Sequence, residues 1–152
     1  MDVGIYCIQA ARYGTGAEPV AVTAQQVKTR PDLYVDVEET LTWQMEFPSG
    51  VLANCATSYA TYTERLEICA ENGWYGLRPA YGYGPLQGET SSGKMMFPDV
   101  REQAHHMDAV AKAILSGEPN PVPGEEGLKD MKIIEAVYRA AQTGGRELLD
   151  LA

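Results

Sequence analysis

The sequence predicts an α+β domain: an open-faced, mainly antiparallel β-sheet with helices packed on one face. Three observations lead there. Leu41, Trp43, Met45 and Phe47 alternate with Thr42, Gln44 and Glu46, the period-two pattern of a strand with one apolar face. Pro48-Ser49-Gly50 stops that run before a second one, small and β-branched, from Val51 to Ala60, so the pair reads as a hairpin. Towards the C-terminus apolar residues recur at three- and four-residue steps over Asp99–Ser116 and again from Gly124 to Ala141, two helical stripes able to cover a sheet. A hairpin alone is marginal in water, so the other segments must supply further strands and a cover for the Trp43 face.

In chain order, Val3, Ile5, Tyr6, Cys7, Ile8 and Ala10 crowd into residues 2–13 before Gly14-Thr15-Gly16, which favours a short buried helix with Asp2 as its N-cap. Val20, Val22 and Ala24 alternate with Ala21, Thr23 and Gln25, a strand over Val20–Lys28, and Arg30–Asp36 reads as a loop. After the hairpin, Leu66, Ile68 and Ala70 mark a strand over Glu64–Glu71, with Asn72-Gly73 as a two-residue turn into Trp74–Arg78. From Pro79 to Gly93 periodicity disappears among Gly, Tyr and Pro, leaving a loop with one edge strand. Its Gly82-Tyr83-Gly84-Pro85-Leu86-Gln87-Gly88 run lacks the G-x-G-x-x-G spacing and no helix follows, so it is not a phosphate loop. In the first C-terminal helix Ala104, Met107, Val110, Ala111, Ile114 and Leu115 align, and Gly117 ends it. Pro119, Pro121 and Pro123 stiffen the link to the second, whose stripe is Leu128, Met131, Ile134, Val137, Tyr138 and Ala141 and whose stop is Thr143-Gly144-Gly145. Arg146–Leu151 suits a last short strand. The sum is a sheet of five or six strands whose other face, with Thr40, Thr42, Gln44, Thr57 and Tyr59, is half polar and a candidate oligomer interface.

Length and composition bound the function. A chain of 152 residues, 45% apolar, fits a single domain over 1–152. A net charge of −9 and scattered basic residues argue against a nucleic-acid partner. Cys7, Cys55 and Cys69 form no C-x-x-C and have no histidine at ligand spacing, so neither a metal site nor a disulfide framework is expected. No apolar run approaches the ~20 residues of a membrane span, and no leader pattern opens the chain. The cytoplasm is therefore the default, with export open if a preceding segment carries a leader. Met1-Asp2-Val3-Gly4 runs straight into structured-looking sequence, which suggests a fragment of a longer protein.

Asp2 and Tyr6 stand four residues apart and on a helix would project from one face towards one small polar substrate. A carboxylate accepts hydrogen bonds from hydroxyls, and a phenol relays a proton. The structural alternative is Asp2 as a cap and Tyr6 as partly buried packing, and spacing alone favours that alternative. His105 and His106 point about 100° apart on a helix and cannot share a metal. Tyr59, Tyr62, Tyr75, Tyr81 and Tyr83 suit a sugar-stacking surface or, more commonly, packing and interface roles.

Asp2-Val3-Gly4-Ile5-Tyr6, Ala11-Arg12-Tyr13, Gly16-Ala17-Glu18-Pro19-Val20, Val37-Glu38-Glu39, Trp43-Gln44-Met45, Phe47-Pro48-Ser49-Gly50 and Pro123-Gly124-Glu125-Glu126-Gly127 together resemble the second domain of the glucose-fructose oxidoreductase and inositol dehydrogenase (Gfo/Idh/MocA) family, nearest its glucose-fructose oxidoreductase branch. The resemblance implies the same open-faced sheet, of the glyceraldehyde-3-phosphate dehydrogenase-like C-terminal type. It implies a sugar or polyol substrate, Asp2 against its hydroxyls and Tyr6, where many relatives carry His, as the proton-transfer group. It also implies NADP or NAD held mainly by an N-terminal Rossmann domain and a homodimer or homotetramer built through the sheet. No Rossmann fingerprint and no Glu-Lys-Pro motif occurs here, so the chain by itself is expected to be inactive and to bind no cofactor. The alternative function is a cofactor-free binding or scaffold domain that self-associates through its sheet.

Overall fold

The computed structural model describes residues 1–83 and 85–151. In chain order the elements are α1 (Gly4–Thr15), β1 (Ala21–Val27), β2 (Thr40–Glu46), β3 (Leu52–Ser58), β4 (Leu66–Ala70), β5 (Gly73–Leu77), β6 (Gly88–Thr90), β7 (Gly93–Met95), α2 (Glu102–Ser116), α3 (Gly124–Thr143) and β8 (Glu147–Leu148). They fall into two compact units, Met1–Thr63 together with the segment from Leu128, and Glu64–Gly127.

The first unit holds an antiparallel sheet of order β3-β2-β1-β8. Val22, Met45 and Ala53 stand in one row across it, Ala24, Trp43 and Cys55 in the next, and Gln26, Leu41 and Thr57 in a third. These rows share a face because side chains alternate with period two. Onto them pack Ile8 and Ala11 of α1 and Ile133, Ala136, Val137 and Ala140 of α3. Ile8, Leu41, Met45 and Ile133 are wholly buried, each contributing roughly 1.5–3 kcal/mol of apolar transfer. The loop between β2 and β3 closes as expected: the Phe47 amide donates to the Val51 carbonyl at 3.0 Å and Gly50 takes φ +85°, a conformation glycine adopts without cost. The opposite face carries the rows Thr23–Gln44–Asn54 and Gln25–Thr42–Ala56, with Gln44 Nε2 donating to Asn54 Oδ1 at 2.8 Å. Thr57, expected there, is in register with Leu41 and belongs to the helix side.

The second unit holds a sheet of order β4-β5-β6-β7, so the strands form two four-stranded sheets rather than one of five or six. Ala70 pairs with Gly73, which makes Glu71-Asn72 the turn between β4 and β5 instead of Asn72-Gly73. The type I′ turn that Asn-Gly suggests needs positive φ at both residues, and among the described residues only glycines have it, Gly73 at +141°. Where a loop with one edge strand was expected, β6 and β7 form a further hairpin. Strands of three residues that include glycines are too short to show a period. Gly84, in the run tested as a phosphate loop, lies outside the described residues.

Both C-terminal helices depart from the expected stripes. On α2 only Ala113 is buried, while Met107, Ile114 and Leu115 are 71%, 75% and 88% exposed. On α3 the expected Val137 is in the core and Ile134, Tyr138 and Ala141 pack against it, but Leu128 and Met131 are exposed, and the other buried positions are Asp130, Ile133, Ala136 and Ala140. The stripe is turned because a charged residue, Asp130, occupies a core position, which a count of apolar residues passes over.

Candidate functional site

Helix α1 carries the residues the sequence singles out. Its cap position is Val3, with no side-chain cap bond, so Asp2 precedes the helix and is not its N-cap as expected. The Asp2 carboxylate instead accepts a hydrogen bond from the Tyr59 hydroxyl at 3.3 Å. Tyr6 lies in the first turn of α1 and is 44% exposed. The two residues thus share the N-terminal end of α1, both at the surface, although not as neighbours on a continuous helix face.

Two sets of contacts hold α1, one near its start and one towards its last turn. Cys7 Sγ lies 3.8 Å from the carbonyl of Ala56, placing α1 along β3. Further on, the Arg12 guanidinium, 6% exposed, donates from Nη1 to Asp130 Oδ1 at 2.7 Å and grips Glu18 with Nε and Nη2 at 2.6 and 2.7 Å. Gln9 Nε2 donates to the other Asp130 oxygen at 2.9 Å. Lys129 adds an ion pair to Glu18 at 3.1 Å. The bidentate Arg12 fork, with help from Lys129, outweighs burial and holds the Glu18 carboxyl at about 2.

Around Asp2 lies a second group of polar residues. Glu39, 2% exposed, accepts from the Thr29 amide at 2.6 Å and hydroxyl at 2.9 Å and from Arg30 Nε at 3.1 Å. Burial works against the charge of Glu39, yet the hydrogen bonds from Thr29 and Arg30 prevail and hold its carboxyl at about 2. Arg30 lies over the Tyr34 ring at 5.2 Å, and Tyr34 stacks on Tyr59 with ring centres 5.8 Å apart. Glu38 is also buried, and Tyr138 donates to it at 3.0 Å. Burial, reinforced by Glu38, pushes the Tyr138 phenol up to about 12. The acidic pair Glu38-Glu39 directly before an apolar strand was the available signal for this group, but nothing in the sequence says that both side chains are buried.

His105 and His106 are exposed on α2, and no group of three potential metal ligands forms among the described residues. The Cys55 thiol is pushed up by its hydrogen bond to Cys7 and by burial, so it stays protonated. A cavity of about 720 Å³ opens on the second unit, lined in part by Glu67, Trp74, Arg78, Glu89 and Lys94; neither Asp2 nor Tyr6 lines it.

A dinucleotide's phosphates need a glycine-rich turn from a strand into a helix N-terminus. The first turns of α2 and α3 instead carry Glu102 and Glu125-Glu126, and α1 follows Asp2. These carboxylates repel phosphate, so none of these helix starts suits the phosphates of a dinucleotide.

Fold and site together define an α+β domain with helices on one side of an antiparallel sheet, the other side open, and a carboxylate and a phenol at one helix end. A family model described as the GFO/IDH/MocA C-terminal domain matches residues 1–76, and the chain belongs to that family. It is similar to two D-xylose 1-dehydrogenases named for NADP(+). That of Haloferax volcanii is 30% identical over 158 residues and that of Haloarcula marismortui 26% over 156. Both alignments take in 99% of this chain, with 47% and 43% of the relatives. The crystal structure of aldose-aldose oxidoreductase from Caulobacter crescentus complexed with glycerol superposes with a TM-score of 0.90 at 36% identity, over 98% of this chain and 47% of that one. The chain spans less than half the length of each of these three relatives. No helix among the described residues is long and apolar enough to cross a membrane.

Proposed function

We propose that this chain is the substrate-binding and oligomerisation domain of an NAD(P)-dependent oxidoreductase that transfers hydride at a carbon of a sugar or polyol. The observation that carries the reading is the placement of Asp2 and Tyr6 at one exposed end of α1, a helix clamped to α3 through Arg12 and Asp130. In this reading the Asp2 carboxylate accepts hydrogen bonds from substrate hydroxyls, and the Tyr6 phenol gives or takes the proton of the reacting hydroxyl. The cofactor is held by a preceding Rossmann domain, consistent with relatives about twice as long and with the acidic helix ends found here. The names of the two xylose dehydrogenases favour NADP over NAD and an aldose over other substrates. The open face of β1–β3, with Val27 and Leu52 exposed in its outer rows, supports a homodimer or homotetramer.

The test is Tyr6→Phe in the full-length enzyme. The expected result is a fall in kcat of about 100-fold or more, the range for loss of a positioned proton-transfer group, with the KM for the dinucleotide unchanged. Undiminished turnover on every sugar the enzyme accepts would refute the site. The oligomer part is tested separately by mass in solution, where a monomer would end it.

A further inference from the structure

We propose that Tyr59 is a positioning residue for Asp2, and that its ring, backed by Tyr34, forms a wall of the same substrate site; the proposal rests on the reading of Asp2 and Tyr6 given above. Tyr59 follows β3 directly, and its amide donates to the Glu39 carbonyl at 2.9 Å, which fixes its backbone. Its hydroxyl donates to Asp2 Oδ2 at 3.3 Å. That is long for an O–H···O bond, so the contact orients the carboxylate while leaving most of its acceptor capacity to another partner.

The support behind Tyr59 is built rather than incidental. Its ring stacks on Tyr34 with 17° between the planes. The Tyr34 hydroxyl accepts from Arg30 Nη2 at 3.0 Å, and the same nitrogen is 3.0 Å from Glu39 Oε1. Glu39 in turn draws in both the amide and the hydroxyl of Thr29. Buried Glu39, Arg30, Tyr34, Tyr59 and Asp2 thus form one unbroken series of contacts. It holds the loop after β1 in place. Core packing does not account for it, because Tyr59 is 56% exposed and Arg30 52%. Burial and the neighbouring Asp2 charge raise the Tyr59 phenol, so at neutral pH it remains the donor this geometry requires. Beside a carboxylate, an exposed aromatic face suits a sugar: the ring accepts its C–H face while the carboxylate takes its hydroxyls.

The experiment compares Tyr59→Phe, Tyr59→Leu and Tyr6→Phe in the full-length enzyme, measuring kcat, KM for sugar, KM for dinucleotide and thermal midpoint. Tyr59→Phe keeps the stack and loses only the hydroxyl. It is expected to keep the wild-type midpoint and dinucleotide KM, and to lose about tenfold in kcat/KM for the sugar, the size of one hydrogen bond to a charged group. Tyr59→Leu, which also loses the wall, is expected to raise the sugar KM further. If Tyr59→Phe stays within twofold of wild type while Tyr6→Phe loses turnover, the role of Tyr59 falls and the proposed function stands. If Tyr59→Phe loses kcat only in proportion to a lowered midpoint, with the sugar KM unchanged, Tyr59 is structural and the inference is overturned. If Tyr6→Phe retains full turnover, the site itself is wrong and both readings fall together.

Discussion

Replacing Asp130 by alanine tests how α1, and with it Asp2 and Tyr6, is held. Asp130 is 1% exposed and accepts from Arg12 Nη1 at 2.7 Å and Gln9 Nε2 at 2.9 Å. Removing it leaves a buried guanidinium short of one partner. Breaking a buried ion pair from one side costs about 3–5 kcal/mol. Arg12 keeps Glu18 on Nε and Nη2, so its charge remains partly compensated, and the low end of that range, about 3 kcal/mol, is the expectation. For a chain of this length each kcal/mol moves the midpoint by roughly 2–4 °C, so Asp130→Ala should melt about 6–12 °C below wild type. Differential scanning calorimetry or thermal circular dichroism at pH 7 and 150 mM salt measures it. The double variant Arg12→Met/Asp130→Leu supplies the decisive contrast. It removes both buried charges and fills their space, and such replacements are commonly neutral or stabilising, so it should recover most of the loss. A single-variant loss below 1 kcal/mol, or a double variant as unstable as the single, would refute the view that Arg12 and Asp130 form a buried pair joining α1 to α3.

Two further outcomes follow from burial and charge. Ile133→Ala should cost about 2–5 kcal/mol, because Ile133 is wholly buried. Ile114→Ala should change the stability of this chain by no more than about 0.5 kcal/mol, because Ile114 is 75% exposed; equal losses would show that α2 is packed more deeply than described. Stability should also fall in acid. Glu18 and Glu39 are each lowered from 4.5 to about 2, so their contributions are complete above pH 4.5 and disappear as pH drops towards 2. Midpoints recorded from pH 7 to 2 should stay level to about 5 and then decline, and in Glu39→Gln the acid decline should be shallower; an identical decline would mean that Glu39 contributes nothing.

Much of the fold was legible because it follows from local rules. The alternation of Leu41, Trp43 and Met45, the Pro48-Ser49-Gly50 break and the stops at Gly16, Gly117 and Gly144 are short-range signals, and the structure places strands, a turn and helix ends at them. The misses have a different character. The turn between β4 and β5 shifted by one residue because register, not the Asn-Gly pair, set which residues bridge the strands. The hairpin of β6 and β7 is too short to carry a period. Helix α2 shows a helical stripe whose outer residues this chain leaves exposed, so periodicity reported the helix without reporting what covers it.

The candidate site shows the same division more sharply. Asp2 and Tyr6 were nameable from their spacing and from the family resemblance, but the residues that hold them were not. Apolar periodicity discards charged residues, and here the charged residues do the holding. Asp130 sits among Ile133, Ala136 and Val137 on the inner side of α3, and its partner is Arg12, 118 positions away. Glu39 and Arg30 are close in sequence, yet only their burial and their link to the Tyr34–Tyr59 stack connect them with Asp2. Each of these carboxylates is costly to bury unless its partner is in place, so each makes the position of one segment conditional on another. Asp130 ties α1 to α3, and Glu39 ties the loop after β1 to the start of β2. Asp130 holds α1 from Gln9 to its last turn at Arg12, and the Glu39 series reaches Asp2 through Tyr59, so the surface pair Asp2 and Tyr6 stands on a segment tied to α3 further along the helix and to the loop after β1 just before it.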